Sequence, residues 1–262
     1  NRLITIWRCM TFEVSEISSL AQNVRSADIK KQYYGVIGLR KILSNDENPP
    51  IQEALNSGVV PDLIKLVQTS SESRIQAESA WCLANLCAGT DEQTQEVVDK
   101  GGISCFLSAL KSSDDEVIDN GLRGIANIAG TSTELRDLLI QSNGYNVIKP
   151  VVKVLKNSVS LSVARSATWL LSNLCRTPEP SYEEIESIIP VLCYSFCHLK
   201  DDDILGNVAW ALSYISNNEE VVDEILSYDV TSRLVSLLRN SPSPNLCFPY
   251  LRTIGNIISS SE

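Results

Sequence analysis

Apolar residues recur every three or four positions along most of the chain, which is the spacing of a helix that buries one face. One eight-residue run, mostly apolar with a polar residue in its sixth place, occurs in five copies. The copies cover residues 80–87, 122–129, 168–175, 209–216 and 251–258. The polar places are 85, 127, 173, 214 and 256, so successive copies are 42, 46, 41 and 42 residues apart. The pattern therefore indicates a repeat protein.

The best-formed repeat predicts three helices, covering residues 50–56, 60–67 and 74–87. The loop 68–73, rich in serine and threonine, is expected to supply the N-cap of the third helix. Helices this short do not persist alone, so each must pack against neighbours. A period of 41 to 46 residues is typical of armadillo and HEAT repeats.

The predicted fold is all-α: a right-handed superhelical solenoid of about six armadillo repeats, each of three helices, the first one partial. Residues 1–27 are predicted to be a partly ordered N-terminal lead-in, and residues 28–262 the repeat domain.

The third helix has two distinct arcs. Apolar positions 80, 83, 84 and 87 share the arc that is expected to face the core, whereas Trp81 and Asn85 share an arc that looks outward. An exposed tryptophan is uncommon. One interpretation is that each tryptophan seals the stack against the next third helix, but this leaves the asparagine unexplained.

The other interpretation is a binding surface. Stacked helices lie about 8–10 Å apart, and an extended peptide advances about 3.3 Å per residue, so an asparagine on each third helix can meet the peptide backbone at intervals. A carboxamide offers both a donor and an acceptor to a peptide group. Tryptophan faces suit the stem and charge of lysine or arginine. The predicted ligand is an extended basic peptide held in a concave Trp/Asn groove, disordered until it is bound.

Net charge favours cationic partners. The formal charge is −10, which disfavours nucleic acid and anionic membranes, although acidity for solubility alone explains the same number. No apolar stretch approaches the roughly 20 residues that span a bilayer. Eight cysteines, none in a C-x-x-C pair, indicate reduced thiols in a cytosolic or nuclear protein: residues 9, 82, 87, 105, 175, 193, 197 and 247.

Catalytic and metal-binding patterns are missing from the sequence. His198 follows Cys193 and Cys197 on one predicted helix, which supplies a partial metal site at most, and a buried or rim histidine is the simpler interpretation. No nucleophile triad, zinc-protease motif, dinucleotide-binding glycine motif or phosphate loop occurs. We therefore expect neither an enzyme nor a cofactor.

At the repeated runs the sequence resembles the importin-α family of nuclear-import adaptors. The run 167–176, Ala-Thr-Trp-Leu-Leu-Ser-Asn-Leu-Cys-Arg, is similar to the fourth repeat of the family. Residues 210–214 resemble the fifth repeat, which also has Tyr in place of Asn, and 249–256 resemble the sixth, with its proline and its arginine. Residues 40–44 and 49–51 resemble the junction of the first two repeats, and the likeness covers Ser18 to Ser260.

The resemblance implies binding of nuclear localisation signals, a partner importin-β in the full-length protein, and shuttling between cytoplasm and nucleus. It implies a major peptide site at Trp81, Asn85, Gly89, Thr94, Asn127, Trp169 and Asn173. Trp210 and Tyr214 would flank this site, and Arg252 and Asn256 would begin a minor site.

Two positions depart from the family. Arg123 stands where the third repeat has tryptophan, and Thr131 stands where the family has a lysine-pairing aspartate. A cation repels the incoming lysine, and a lost charge-assisted hydrogen bond costs about 1.5–3 kcal/mol, so weaker or shifted binding is expected. Glu134 lies nearby as a possible substitute. The chain is also expected to be a fragment without the importin-β-binding arm and the C-terminal repeats.

Two other classes share the predicted fold. A scaffold of the β-catenin type usually presents a basic stripe to acidic partners, whereas this chain is acidic. The armadillo part of a ubiquitin ligase would give the tryptophan and asparagine positions no purpose. Binding of a lysine-rich peptide separates the first class from these two.

Overall fold

The computed structural model describes residues 10–44, 48–141, 144–240 and 244–260. These residues form 17 α-helices and one 3₁₀ turn, Val14–Glu16, and they contain no strand. The all-α prediction is therefore confirmed. The chain divides into two compact units, Asn1–Thr131 (unit 1) and Ser132–Glu262 (unit 2).

The helices of unit 1 are α1 Ile17–Val24, α2 Ile29–Leu43, α3 Ile51–Asn56, α4 Val60–Thr69, α5 Ser73–Leu86, α6 Asp91–Asp99, α7 Gly102–Ala109 and α8 Asp115–Thr131. The third helices of successive repeats, α2, α5 and α8, pack in series. The second helices, α1, α4 and α7, each pack on the third helix that follows, and the first helices are α3 and α6.

Unit 2 repeats this plan. Its third helices α11, α14 and α17 pack in series, and α10, α13 and α16 cover them as second helices. With unit 1 this gives six third helices in the described part of the chain, as the repeat period predicts. The bounds are α9 Thr133–Ile140, α10 Ile148–Asn157, α11 Leu161–Leu174, α12 Tyr182–Ile185, α13 Ile189–His198, α14 Asp202–Ile215, α15 Glu219–Leu226, α16 Val230–Arg239 and α17 Pro244–Ser259.

The two arcs of α5 behave as their spacing predicts. Positions 80, 83, 84 and 87 are buried, whereas Trp81 and Asn85 are partly exposed. Burial of apolar surface against the helices on either side supplies the stability that such short helices lack alone. Gly124 of α8 shows how tight this core is, because a Cβ there would approach the ring of the fully buried Phe106 to well under 3.0 Å.

Capping of α5 differs from the expectation. The N-cap residue is Glu72, and its side chain makes no capping bond. Ser70 instead accepts a hydrogen bond from the amide of Glu72 through its Oγ, at 3.2 Å, which forms a local turn before the helix. Elsewhere acidic and polar caps are present: Asp28, Thr90, Ser132, Asp201 and Asn218 accept backbone amides at helix starts.

The predicted boundary at residue 28 stays a prediction. Within the proposed lead-in, residues 17–24 form α1, which packs on α2 and buries Ile17, Leu20 and Val24. Five cysteines are buried, three within helices and two at helix C-caps, as expected of small apolar side chains, and Cys9 lies outside the described residues. Among the helices of the described ranges, none has the length and apolar character needed to cross a bilayer.

Candidate functional site

In unit 1 the outward arcs of the third helices carry Trp81 and Asn85 on α5 and Asn127 on α8, all partly exposed. Their carboxamides tie consecutive third helices together. Asn85 Nδ2 donates to Ser44 Oγ at 3.0 Å, and Asn127 Nδ2 donates to the Ala84 carbonyl at 2.8 Å. Each bond turns the amide nitrogen toward the preceding helix.

This bonding modifies the idea that a carboxamide gives a ligand both a donor and an acceptor. The amide nitrogen already serves the stack, so the acceptor Oδ1 is the larger part of what Asn127 offers to a peptide N–H. The same bond accounts for the repeated asparagine in structural terms. The objection that stack sealing leaves the asparagine unexplained therefore no longer holds.

Trp81 is in contact with a cation of its own chain. The guanidinium carbon of Arg40 on α2 lies 4.7 Å from the centre of the Trp81 ring, within cation–π range. Arg40 Nε also pairs with Glu78 at 2.7 Å, and the two side chains are only 15% and 13% exposed. One face of the indole is therefore occupied by a neutralised, shielded guanidinium.

The two divergent positions both lie on α8. Arg123 Nε pairs with Asp119 one turn earlier, at 3.2 Å; the arginine side chain is 45% exposed, whereas the aspartate side chain is 13% exposed. Thr131 Oγ1 donates to the carbonyl of Asn127 in its own helix, at 2.8 Å. The surface of α8 therefore presents a cation and a neutral hydroxyl.

Gly89 and Thr94 differ in their exposure. Gly89 is exposed, and a Cβ there would displace the end of the Gln93 side chain. Thr94 is fully buried, and its Oγ1 donates to the Cys87 carbonyl at 3.3 Å. The structure does not place Thr94 on the outward surface with the other residues; its hydroxyl stabilises the loop between α5 and α6.

Unit 2 carries Trp169 and Asn173 on α11, Trp210 and Tyr214 on α14, and Asn256 on α17, all partly exposed. The Asn256 carboxamide repeats the bonding seen in unit 1. Its Nδ2 donates to the Ser213 carbonyl at 3.2 Å and to Ser216 Oγ at 2.9 Å, which links α17 to α14. Asn256 thus also presents chiefly its acceptor oxygen.

Aromatic residues of α14 and α17 form a contiguous surface. Trp210 stacks on Tyr214 with ring centres 5.7 Å apart and contacts Phe248 at 5.6 Å. The Arg252 guanidinium lies 5.4 Å from the centre of the Tyr214 ring. Phe248 is 59% exposed and was missed by the sequence reasoning. Its place four residues before Arg252, on the same face of α17, was the available signal.

A second set of asparagines also went unnoticed in the sequence. Asn120 Nδ2 donates to the Ala77 carbonyl at 3.1 Å, and Asn207 Nδ2 donates to the Arg165 carbonyl at 3.2 Å. These bonds join α8 to α5 and α14 to α11. Each of the two asparagines lies seven residues before the outward position of its own helix, 127 on α8 and 214 on α14. Asn120 is buried, so its role is limited to the stack.

His198 does not combine with Cys193 and Cys197 into a metal site, and it lies at the rim rather than in the core. His198 is exposed, stacks on the Tyr194 ring with centres 4.3 Å apart, and contacts the Tyr194 carbonyl through Nδ1 at 2.9 Å. In the ranges that the structure describes, no group of three His, Cys, Asp or Glu side chains is arranged to hold a metal ion. Burial raises the pKa of the Cys193 thiol to about 12, with smaller contributions from Cys197 and Glu224, so this thiol is a protonated core group.

Comparisons with known proteins agree with the repeat pattern. The armadillo/β-catenin-like repeat model matches residues 47–88 and 132–176. Importin subunit alpha-1b of Oryza sativa subsp. japonica is 35% identical over 248 residues, covering 94% of this chain and 46% of the relative. Importin subunit alpha-B of Dictyostelium discoideum is 34% identical over 250 residues, covering 94% of this chain and 48% of the relative.

Solved structures match the same fold. An engineered protein, 27% identical, superposes with a TM-score of 0.81 over 94% of this chain and 97% of its own. A designed armadillo repeat protein in complex with the peptide (KR)4 is 24% identical and has a TM-score of 0.77, covering 92% of this chain and 99% of its own; at that identity the likeness concerns the fold alone.

The chain spans about half the length of the curated relatives that it matches. The importin-α adaptor family is non-enzymatic, in agreement with the sequence prediction. The repeat model, the helical architecture and the identity over nearly the whole chain all lead to the same conclusion: the chain is an armadillo-repeat protein homologous to importin-α subunits.

Proposed function

We propose that the chain binds the basic nuclear localisation signals of cargo proteins, as part of a nuclear-import adaptor. The observation that carries this proposal is the recurrence of partly exposed tryptophan and asparagine on consecutive third helices, in a homologue of importin-α subunits. The proposed residues of unit 1 are Trp81, Asn85, Gly89 and Asn127, and those of unit 2 are Trp169, Asn173, Trp210, Tyr214, Phe248, Arg252 and Asn256. Thr94 is left out because it is buried.

Backbone recognition rests on the carboxamides. An extended peptide has an N–H group at each residue, and the Oδ1 atoms of Asn127 and Asn256 are oriented by their bonds to the preceding helix. Pre-oriented acceptors lose less side-chain entropy when the ligand binds. Within each unit, such acceptors favour a peptide that is bound in extended form.

Side-chain recognition rests on the tryptophans of unit 2. Trp169 and Trp210 are partly exposed and provide aromatic faces for lysine or arginine, each contact being worth about 0.5–2 kcal/mol. A net charge of −10 attracts such peptides over distance and raises the association rate. The likeness in fold to a designed protein in complex with (KR)4 is in keeping with this ligand class.

Binding by unit 1 is expected to be weaker than in relatives that have tryptophan and aspartate at the positions of Arg123 and Thr131. For the whole protein we propose importin-β as a further partner and shuttling between cytoplasm and nucleus, on the basis of the homology. We propose no cofactor, and the net charge of −10 disfavours nucleic acid and anionic membranes as partners.

The direct experiment is a fluorescence-anisotropy titration of a lysine-rich monopartite peptide into the chain and its Trp169→Ala variant. The variant is expected to lose affinity by about tenfold or more, because it loses both the cation–π contact and the apolar wall. Tyr194→Ala, which removes an exposed aromatic from the second helix α13, is the control and is expected to bind like the unmodified chain.

Absence of binding to the basic peptide, combined with tight binding of an acidic peptide, would favour the β-catenin-like scaffold instead. Equal losses in Trp169→Ala and Tyr194→Ala would contradict the proposed site. Tight binding of the basic peptide by the unmodified chain, unchanged in Arg123→Trp combined with Thr131→Asp, would contradict the expected weakness.

A further inference from the structure

Trp81 lies between two arginines that occupy the matching places on the neighbouring third helices of unit 1. Arg40 on α2 precedes it by 41 residues and Arg123 on α8 follows it by 42 residues, and α5 packs against both helices. Among the third helices α2, α5 and α8, which the structure describes, only α5 has an aromatic group at this place, and a cation lies on each flanking helix.

The two arginines differ in what a ligand would meet. Arg40 is stacked on the Trp81 ring, paired with Glu78 and largely shielded, so it occupies the aromatic face and adds little exposed charge. Arg123 is three times as exposed as Arg40, and its partner Asp119 is largely covered, so the guanidinium is the part of the pair that faces solvent.

The last two turns of α8, residues 124–131, carry no carboxylate beside this exposed cation, whose ion-pair partner is Asp119. Thr131 is neutral, and its hydroxyl donates to the backbone of its own helix. One turn from Arg123, the partly exposed Asn127 offers its acceptor oxygen to a peptide N–H. The surface formed by Asn127 and Arg123 thus combines a group that reads the peptide backbone with a guanidinium fork, which suits a carboxylate.

We infer that unit 1 selects an acidic residue, Asp or Glu, at the peptide position beside Arg123, and that the ligand is a peptide of mixed charge. This inference rests on the proposed function and refines its substrate class. Lysine at that position meets a like charge and finds one face of Trp81 already occupied by Arg40, whereas a carboxylate gains a charge-assisted hydrogen bond.

The experiment is a glutamate scan of the lysine-rich peptide, in which each position is replaced in turn and the affinity is measured by anisotropy. For the unmodified chain, replacement at one position is expected to leave affinity within about twofold or to improve it, whereas replacement of the other lysines costs about tenfold. Arg123→Gln is expected to make that tolerant position as costly as the others, and Arg123→Trp to make it prefer lysine.

Arg165→Gln is the matched control. Arg165 is also an arginine of a third helix, 46% exposed and paired with an aspartate that is 14% exposed, but it lies in unit 2 four residues before Trp169. This variant is expected to keep the tolerant position. Circular dichroism confirms that each variant is folded before its affinity is compared.

The outcomes separate this inference from the proposed function. Failure of the unmodified chain to bind any peptide of the scan refutes both. Binding that weakens in Trp169→Ala, together with uniform losses along the scan and no effect of Arg123→Gln, refutes only the preference for an acidic residue. A tolerant position that disappears equally in Arg165→Gln also refutes it, because the effect would then be a general one of positive charge.

Discussion

Asn127 and Asn120 allow the structural and the ligand-binding contributions of a carboxamide to be measured separately. Both lie on α8, and each donates from Nδ2 to a carbonyl of α5, at 2.8 and 3.1 Å respectively. They differ in exposure, because Asn120 is 6% exposed and Asn127 is partly exposed. Replacing each by alanine removes the same kind of bond between the same two helices.

The expected magnitudes follow from this difference. Asn127→Ala loses one interhelical hydrogen bond and is expected to lower the free energy of unfolding by about 0.5–1.5 kcal/mol. Asn120→Ala also leaves a small buried void and is expected to cost about 1–3 kcal/mol. In peptide binding the order reverses. Asn127→Ala loses an acceptor for a peptide N–H and is expected to weaken binding by about three- to tenfold. Asn120 is buried where a ligand cannot reach it, so Asn120→Ala is expected to leave binding unchanged.

Urea unfolding followed by circular dichroism measures the first quantity, and anisotropy with the lysine-rich peptide measures the second, at a temperature where both variants are fully folded. The reasoning fails if the two variants lose affinity equally, since the loss would then follow from disturbed packing of α8 on α5. It also fails if Asn127→Ala binds as well as the unmodified chain.

Three further predictions concern packing, charge and pH. In urea unfolding, Gly124→Ala is expected to destabilise the protein by about 1–2 kcal/mol, because its Cβ overlaps the buried Phe106 ring. Gly255→Ala, which has nothing within 4 Å of its Cβ, is expected to stabilise the protein by about 0.5–1 kcal/mol. A loss of stability in both variants would contradict the argument. Peptide affinity should fall as salt rises, and a salt-independent affinity would exclude the electrostatic contribution. Burial raises the pKa of the Cys105 and Cys175 thiols from 9.0 to about 12. Between about pH 9 and pH 12 only the unfolded thiols ionise, so the free energy of unfolding should fall as pH rises through that range. An unchanged urea midpoint between these pH values would refute this prediction.

Arg40 and Arg123, which stand at the place that Trp81 has on α5, were only partly understood from the sequence. From the sequence, Arg123 was predicted to be a cation that disfavours lysine. The structure adds that its ion-pair partner Asp119 is largely buried, whereas the arginine itself is exposed. Nothing in the sequence indicated that Arg40 stacks on Trp81, because the two are 41 residues apart and meet only when α2 packs on α5. Such a contact depends on how two helices slide past each other, which a periodic pattern does not contain.

What the sequence determined by itself is the repeat, the helix order and the buried arc of each third helix. These depend on the spacing of apolar residues within one helix and on a period of 41 to 46 residues, both of which are local properties. Tertiary structure alone decided the hydrogen-bond partners of the asparagines, the burial of Thr94 and the contact of Phe248 with Trp210. The physical reason is that partners and exposure are set by the register between packed helices, which arises from the whole set of side-chain contacts across their interface.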